Sequence, residues 1–279
     1  MRGGTPGRAR LFWILVGASL VTTLGSVPYL IALLEQVPGA AGGRFETRGA
    51  LPYLATAIQG LLFTIPTAWA GLRLAPRAGF SMMVPPARRA LRIGVLAGLA
   101  VGIGLLALTP VLPEITPKFP LQPAEWWKGL LASASAGVNE EIWFRLGIMT
   151  ALVAAGMALF RRGSSSAVPA EEPVVPPDET FPTPAAQGES RVTAPIQAPG
   201  WIVWPANAIA ALLFGALHLP QADMIAGLTP PIVAFTLVGN GIAGMAFGWL
   251  YWKQGLLSAM AAHFSTDIVL HVIAPLGEA

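Results

Sequence analysis

The sequence predicts an all-α protein, a bundle of about seven to eight helices that cross a membrane. Hydrophobic residues make up 54% of the 279 residues and charged residues only 11%, whereas about a quarter of the residues in soluble domains are charged. The apolar residues are also gathered into long runs. Because a helix needs about 20 apolar residues to cross the hydrocarbon core, these runs are typical of membrane spans.

Seven runs are long enough to cross. We predict spans over residues 11–34, 51–74, 91–113, 127–160, 201–219, 230–252 and 255–275. The first run follows Arg2, Arg8 and Arg10, as the core of a signal peptide would. It is too long for that core and no small-residue cleavage site ends it, so we interpret it as a retained helix.

Basic residues between the spans predict the topology. With the N-terminus in the cytoplasm, the positive-inside rule places the following residues on the cytoplasmic side: Arg73, Arg77, Arg88, Arg89, Arg92, Arg161, Arg162 and Lys253. Seven spans then place the C-terminus outside. An eighth, re-entrant or interfacial segment would reverse that last prediction.

The chain divides by composition. Residues 1–124 hold the first predicted helices and no motif, and residues 125–275 hold all the motifs discussed below. A stretch over 162–200 is rich in Pro, Ala, Ser and acidic residues and cannot bury enough apolar surface to order itself, so we predict a disordered cytoplasmic linker. We favour a passive linker over one that binds a partner or gates entry of a substrate.

The composition also excludes several classes of function. The chain contains no cysteine, which excludes disulfides, thiolate metal sites and a cysteine nucleophile. The net charge of +3 is modest and no basic block is present, so no nucleic-acid partner is expected.

The stretch NEEIWFR, residues 139–145, places three charges inside the fourth predicted span. Each charge near the bilayer centre costs about 2.5–3.5 kcal/mol on insertion scales. Glu141 and Arg145 are four residues apart, so they can pair on one helix face. Glu140 points to a different face and stays free to act as a general base. The alternative is an ion pair that only fixes helix packing.

The three histidines all lie in the last quarter of the chain, in or at the ends of apolar runs. They are His218, His263 and His271. His263 and Asp267 are four residues apart and share a helix face, which His271 could extend. One such histidine could simply be an interhelical hydrogen bonder. Ionisable residues on three membrane helices, however, predict a functional site.

Several chemistries fit this set of residues. A glutamate and a histidine on facing helices can activate a water, while a further histidine stabilises an oxyanion. A zinc ion held by Glu140, His218 and His263 could activate the water instead, although no HExxH motif is present. The other hypotheses are a proton-coupled transporter, which predicts pseudo-symmetric halves that the sequence lacks, and a non-catalytic membrane adaptor.

Three motifs in order carry a resemblance to a known family. They are EExxxR (Glu140, Glu141, Arg145), FxxxH (Phe214, His218) and HxxxD (His263, Asp267). This set resembles the CPBP family, which contains the type II CAAX prenyl proteases and the bacteriocin-processing (Abi) proteins. The resemblance covers roughly residues 125–275 and implies a multi-pass intramembrane protease of the bacterial inner membrane. Its partners would be the lipid bilayer and a membrane protein or peptide as substrate.

The resemblance also implies a role for each residue. Glu140 would be the general base, with His218 as its partner on the water. Glu141 and Arg145 would support the site electrostatically, and His263 and Asp267 would face the substrate carbonyl. His271 matches no motif of the family and is left out of the site.

One departure leaves the metal question open. Many relatives carry asparagine where Asp267 stands, and an ionised aspartate cannot donate a hydrogen bond to an oxyanion. Asp267 must therefore be protonated, orient His263 or bind a metal. Either no cofactor or a divalent metal such as zinc is compatible with the sequence.

The predicted spans do not by themselves bring the motifs to one depth. Glu140 falls well inside its span, His218 near the outer end of the fifth and His263 near the inner end of the last. The motifs can meet only if helices are tilted or broken, and Pro220, Pro230 and Pro231 make breaks plausible.

Overall fold

The structure, a computed structural model, describes residues 5–36, 49–80, 86–108, 125–165 and 197–276. Within these ranges all regular secondary structure is helical. Seven helical stretches are long and apolar enough to cross a membrane. The predicted all-α, multi-pass fold is therefore confirmed. Most of the predicted linker, residues 166–196, lies outside the described residues.

The helices follow one another along the chain with two π-helical segments among them. In order they are α1 (Thr5–Leu34), α2 (Leu51–Leu74), α3 (Ala87–Leu108), α4 (Trp126–Glu140), π1 (Glu141–Met149), α5 (Thr150–Ser165), α6 (Gly200–Leu217), α7 (Leu219–Ala226), α8 (Pro230–Gln254), α9 (Leu256–Ile268), π2 (Val269–Ile273) and α10 (Ala274–Leu276). The segments α4, π1 and α5 form one continuous span from Trp126 to Arg161. The predicted spans agree with most of these bounds, but α1 begins at Thr5 and α3 at Ala87. α3 ends at Leu108, and residues 109–113 of the third predicted span lie outside the described residues. The fifth span continues beyond its predicted end to Ala226.

Proline and glycine set the ends of the helices in the second half of the chain. α7 and α8 both carry proline in their first turn. The N–H groups of a first turn have no partner within the helix, so the missing N–H of proline costs no hydrogen bond there. Gly255 has a φ of 86° and turns the chain from α8 into α9. α6 ends at Leu217 and α7 begins at Leu219, so the expected break falls at His218.

Small residues let neighbouring helices approach closely. Gly94, Gly98 and Gly102 form a stripe on α3 that faces α9, and a Cβ at Gly98 would overlap the backbone of Ala262. Thr266 on α9 donates its hydroxyl to the Gly98 carbonyl at 3.0 Å. The hydrophobic effect does not drive helices together within lipid, so the van der Waals packing at such close contacts is a main source of their association.

A second pair of helices packs in the same way. The sequence places Gly244 and Gly248 at four-residue spacing, which suits close helix packing. In the structure a Cβ at Gly244 would lie 2.9 Å from the Cβ of Ala211, and one at Gly248 would overlap the amide oxygen of Asn207. Both glycines therefore face α6.

Replacing Gly98 by leucine should destabilise the bundle, because the new side chain must displace α9. We expect a loss of about 1–3 kcal/mol, the usual cost of overpacking, seen as a lower thermal unfolding temperature in detergent. Gly104→Leu, on the same helix, is the matched control, since a Cβ at Gly104 would have no atom of the described neighbouring residues within 4 Å. Equal stability of the two variants would contradict this packing role.

Candidate active site

The continuous helix that carries EExxxR changes its winding at the motif. π1 begins at Glu141, directly after Glu140, and runs to Met149. At its end the Thr150 backbone N–H bonds to the Arg145 carbonyl, and the Thr150 hydroxyl donates to the same carbonyl at 2.9 Å. Such π-helical turns occur frequently at functional sites.

Glu141 links an arginine and a histidine of the site. Its Oε1 lies 3.2 Å from Nη1 of Arg145 and 2.8 Å from Nδ1 of His263. Glu141 and Arg145 are almost completely inaccessible, so their opposite charges compensate each other in an apolar surrounding. The predicted pairing along one helix is thus present. It is extended by a histidine from α9.

Arg145 is held on its other sides by α6 and α8. Its Nη2 donates to the Gly244 carbonyl at 3.1 Å. The guanidinium carbon lies 4.7 Å from the ring centre of Phe214 and 5.4 Å from that of Phe247. A cation near aromatic rings is attracted by their π electrons, which helps to stabilise the buried charge.

His263 turns its second nitrogen, Nε2, towards Glu140 and Asp267. An ionised carboxylate can only accept, so Nδ1 carries a proton that it donates to Glu141. The ring stacks on Phe247 with centres 4.8 Å apart. These contacts fix the ring so that Nε2 lies 3.8 Å from Oε2 of Glu140 and 3.7 Å from Oδ2 of Asp267.

His218 faces the same oxygen from the break between α6 and α7. Its Nδ1 donates to the Phe214 carbonyl at 2.8 Å, and the Phe214 ring packs edge-on against the imidazole, as expected from the FxxxH spacing. Nε2 of His218 lies 4.0 Å from Oε2 of Glu140. The break at His218 thus turns its ring towards α4.

Glu140 Oε2 is buried and has no hydrogen-bond partner among the described residues. Its separations from the two imidazole nitrogens, 3.8 and 4.0 Å, are too long for direct hydrogen bonds. A water hydrogen-bonded to Glu140 Oε2 and to one of these nitrogens would bridge such a separation. The arrangement can therefore hold and deprotonate a water.

The structure brings together all six predicted site residues, namely Glu140, Glu141, Arg145, His218, His263 and Asp267. His271, which the sequence placed on the face of His263 and Asp267, lies exposed in π2 and takes part in none of these contacts. His218, at the break between α6 and α7, and His263 both lie within 4.0 Å of Glu140, so the difference in depth that the predicted spans implied is not present.

The same residues can be compared with a zinc site. Bonds of about 2.0–2.1 Å place the ligands of a tetrahedral zinc roughly 3.3 Å apart, so Glu140 Oε2 is too far from both imidazoles for this geometry. No group of three or more His, Asp or Glu residues in the described ranges is arranged to hold a metal ion. As placed, Glu140 and the two histidines are spaced more widely than the ligands of a zinc ion.

A polar network not found from the sequence lies behind the site. Asn139 is buried beside Glu140, and its amide nitrogen donates to Thr23 at 2.9 Å and to the Ser135 carbonyl at 2.9 Å. Its amide oxygen accepts from Ser19. Ser19 and Thr23 are four residues apart on α1, and this spacing of small polar residues in an apolar run could have indicated them.

The network reaches α2 through Thr64. Its hydroxyl lies 2.8 Å from that of Ser19 and accepts from Nε1 of Trp143, also at 2.8 Å. Trp143 is part of π1. The first two helices, which carry no motif, therefore hold the segment on which the glutamates lie.

We expect Asn139→Leu to destabilise the fold by about 1–3 kcal/mol, because it leaves buried hydroxyls without their partner. Thermal unfolding in detergent measures the loss. Asn240→Leu is the matched control, since the described hydrogen bond of Asn240 stays within its own helix, to the Thr236 carbonyl. If the control lost as much stability as Asn139→Leu, the network would not be stabilising.

Comparison with known proteins identifies the family. A family model described as "Type II CAAX prenyl endopeptidase Rce1-like" matches residues 122–269, more than half of the chain. The chain belongs to the Rce1-like family of type II CAAX prenyl endopeptidases. The matched region contains all six site residues. No match was found among the curated proteins or the solved structures.

Membership of the Rce1-like family confirms the resemblance inferred from the three motifs. Together with the seven apolar helices it makes the chain a multi-pass membrane protein of an intramembrane CAAX-type endopeptidase family. Membership of a protease family that is embedded in the membrane also indicates a membrane protein or peptide as substrate.

Proposed function

We propose that this protein hydrolyses a peptide bond of a membrane-associated protein or peptide, with Glu140 as the general base. One observation carries the proposal. Oε2 of Glu140 is buried, lacks a hydrogen-bond partner among the described residues, and lies 4.0 Å from Nε2 of His218 and 3.8 Å from Nε2 of His263. Of the two glutamates, Glu141 is held by Arg145 and His263, whereas Glu140 is left for a water.

In this mechanism a water binds between Glu140 and His218. Glu140 takes a proton from the water while the oxygen of the water attacks the carbonyl carbon of the substrate. The same carboxyl group then gives the proton to the departing amine, so it returns to the carboxylate form. No covalent intermediate with the protein is formed.

His263 faces the carbonyl oxygen, on which negative charge develops. Protonated on both nitrogens, its ring donates Nδ1–H to Glu141 and Nε2–H to the oxyanion. The positive charge of this form would be compensated by Glu140, Glu141 and Asp267, all of which approach the ring. Asp267 acts through His263 in this scheme.

A metal-free reaction agrees best with the spacing of the donor atoms. If a divalent cation were used, Glu140, His218 and His263 would have to move closer together to bind it. We therefore propose that Glu140, with His218 as its partner on the water, activates that water without a metal. As the site of action we propose the inner membrane of a bacterial cell.

Glu140→Gln should lower proteolysis by about 10²- to 10⁴-fold, because the amide keeps the shape of the side chain but cannot accept the proton. The measurement is cleavage of a panel of membrane-tethered peptides by the full chain in detergent. Glu125→Gln is the control, since Glu125 is exposed and pairs only with Lys128 among the described ion pairs.

A chelator added to the same reaction tests the metal. Under the glutamate mechanism the rate of the wild-type protein should stay unchanged. Loss of cleavage with chelator, restored by zinc, would instead indicate a metal enzyme. Cleavage that persists undiminished in Glu140→Gln would remove the proposed base.

Asp267→Asn should retain most of the activity, whereas Asp267→Leu should lose it. The amide keeps a polar group 3.7 Å from Nε2 of His263 and can itself donate to an oxyanion. Rates of both variants on one cleaved peptide measure the difference. Equal loss in the two variants would show that the negative charge itself is required.

A further inference from the structure

Among the described residues no hydrogen bond orients the side chain of Glu140. Its Oε2 has no partner there, and Nε2 of His263 and Nε2 of His218 lie 3.8 and 4.0 Å away. The direction of this carboxylate therefore depends on how the helix that carries it is rotated about its axis. That rotation is set by the contacts of the neighbouring residues.

The residues on either side of Glu140 are bound to different helices. The amide oxygen of Asn139 accepts a hydrogen bond from Ser19 on α1. The carboxylate of Glu141 binds His263 on α9 at 2.8 Å. Successive residues on a helix point about 100° apart, so Glu140 projects between two anchored side chains. A rotation of the helix in either direction would break one of these attachments.

A chain of hydrogen bonds connects Asn139 with Trp143, one turn further along. Nε1–H of Trp143 donates to the hydroxyl of Thr64 on α2 at 2.8 Å. Ser19 gives its proton to Asn139, and a hydroxyl has only one proton to donate. The bond of 2.8 Å between Thr64 and Ser19 is therefore donated by Thr64. Both attachments, one on each side of the two glutamates, thus lead to the hydroxyl of Thr64.

Thr64 is fully buried, on a helix that packs closely along π1. A Cβ at Gly71 would overlap the Leu146 carbonyl, and one at Gly147 would lie 2.7 Å from the Cβ of Thr67. Interhelical hydrogen bonds within a membrane each contribute little to stability, whereas a displacement of about 1 Å in an active site can lower a rate roughly 100-fold. Loss of the Thr64 hydroxyl should therefore affect catalysis more than stability.

We propose that Thr64 is a positioning residue for Glu140. Its hydroxyl holds Trp143 directly and Asn139 through Ser19, and thereby keeps the catalytic carboxylate turned towards the two imidazoles. The inference rests on the proposed function, in which Glu140 is the base. It gives a role in the reaction to α2, a helix that carries none of the three motifs.

Two substitutions of Thr64 separate positioning from packing. Valine keeps the shape of the side chain and loses the hydroxyl, whereas serine keeps the hydroxyl and loses a methyl group. We expect Thr64→Val to lower kcat about tenfold or more with KM changed less than about twofold, and Thr64→Ser to keep kcat within about threefold. The measurement is cleavage of one membrane-tethered peptide by the full chain in detergent.

Thr67→Val is the matched control on the same helix. The described hydrogen bonds of the Thr67 hydroxyl stay within α2, to the carbonyls of Phe63 and Thr64, so this variant should keep the wild-type kcat. A loss in Thr64→Ser as large as that in Thr64→Val would overturn the inference, because a packing role would then suffice. Trp143→Phe, which removes the donor and keeps an aromatic ring beside Phe63, replaces Thr64→Val if that variant does not fold.

The absence of cysteine allows the orientation to be measured without catalysis. In a Glu140→Cys/His218→Cys double variant, a short bifunctional methanethiosulfonate links the two thiols when they face each other, and intact mass gives the fraction of chains that are cross-linked. We expect added Thr64→Val to lower this fraction about threefold, and added Thr64→Ser or Thr67→Val to leave it unchanged. Equal cross-linking in all backgrounds would contradict the positioning role.

The two measurements distinguish failure of this inference from failure of the proposed function. Reduced cross-linking with Thr64→Val, together with undiminished cleavage by Glu140→Gln, would retain the orienting role of Thr64 and reject the base. Unchanged cross-linking, together with loss of cleavage in Glu140→Gln, would retain the base and reject the role of Thr64.

Discussion

The carboxylate of Glu141 is the group on which the rest of the site depends. It binds Arg145 on its own helix and His263 on α9, and Arg145 in turn donates to a carbonyl of α8. Three helices are thus tied to one buried charge. Removing one partner of such a group typically costs about 3–5 kcal/mol, because the remaining charge is left uncompensated. The orientation of the catalytic histidine is therefore coupled to the integrity of the bundle.

This coupling also explains why two adjacent glutamates have different surroundings. Neighbouring residues on a helix point about 100° apart. Glu141 therefore points towards Arg145 and His263, whereas Glu140 points towards His218. The buried pair can stay charged because Glu141 and Arg145 compensate each other and bind His263 and the Gly244 carbonyl. For the Oε2 of Glu140, the imidazole nitrogens of His263 and His218 lie at 3.8 and 4.0 Å, beyond direct hydrogen-bond distance.

The fold and much of the site could be predicted because they depend on local patterns. Hydropathy defines the spans, and the four-residue spacing of Glu141 and Arg145 predicts their pairing. The bond from His263 to Glu141 joins residues 122 positions apart, and no spacing rule tells which helices pack together. The role of Asn139 was missed for the same reason, since its partners Ser19 and Thr23 lie on another helix. The stripe on α3 does have a local signal, in Gly94, Gly98 and Gly102, but nothing local says that it faces α9.

The π-helical segment has a consequence for helical phase. A wheel drawn straight through the span at 3.6 residues per turn places Val153 roughly 160° away from Gly137. Both residues are nevertheless buried, one on each side of π1. A π-helix turns through a smaller angle per residue than an α-helix. Over Glu141–Met149 the helix therefore rotates less than an α-helix would, which brings the two buried faces nearer to one another. The span therefore behaves as two amphipathic helices with separate phases, joined at the glutamates. An insertion or deletion of one residue within π1 would rotate the buried face of α5 relative to that of α4. The span would still be long enough to cross the membrane.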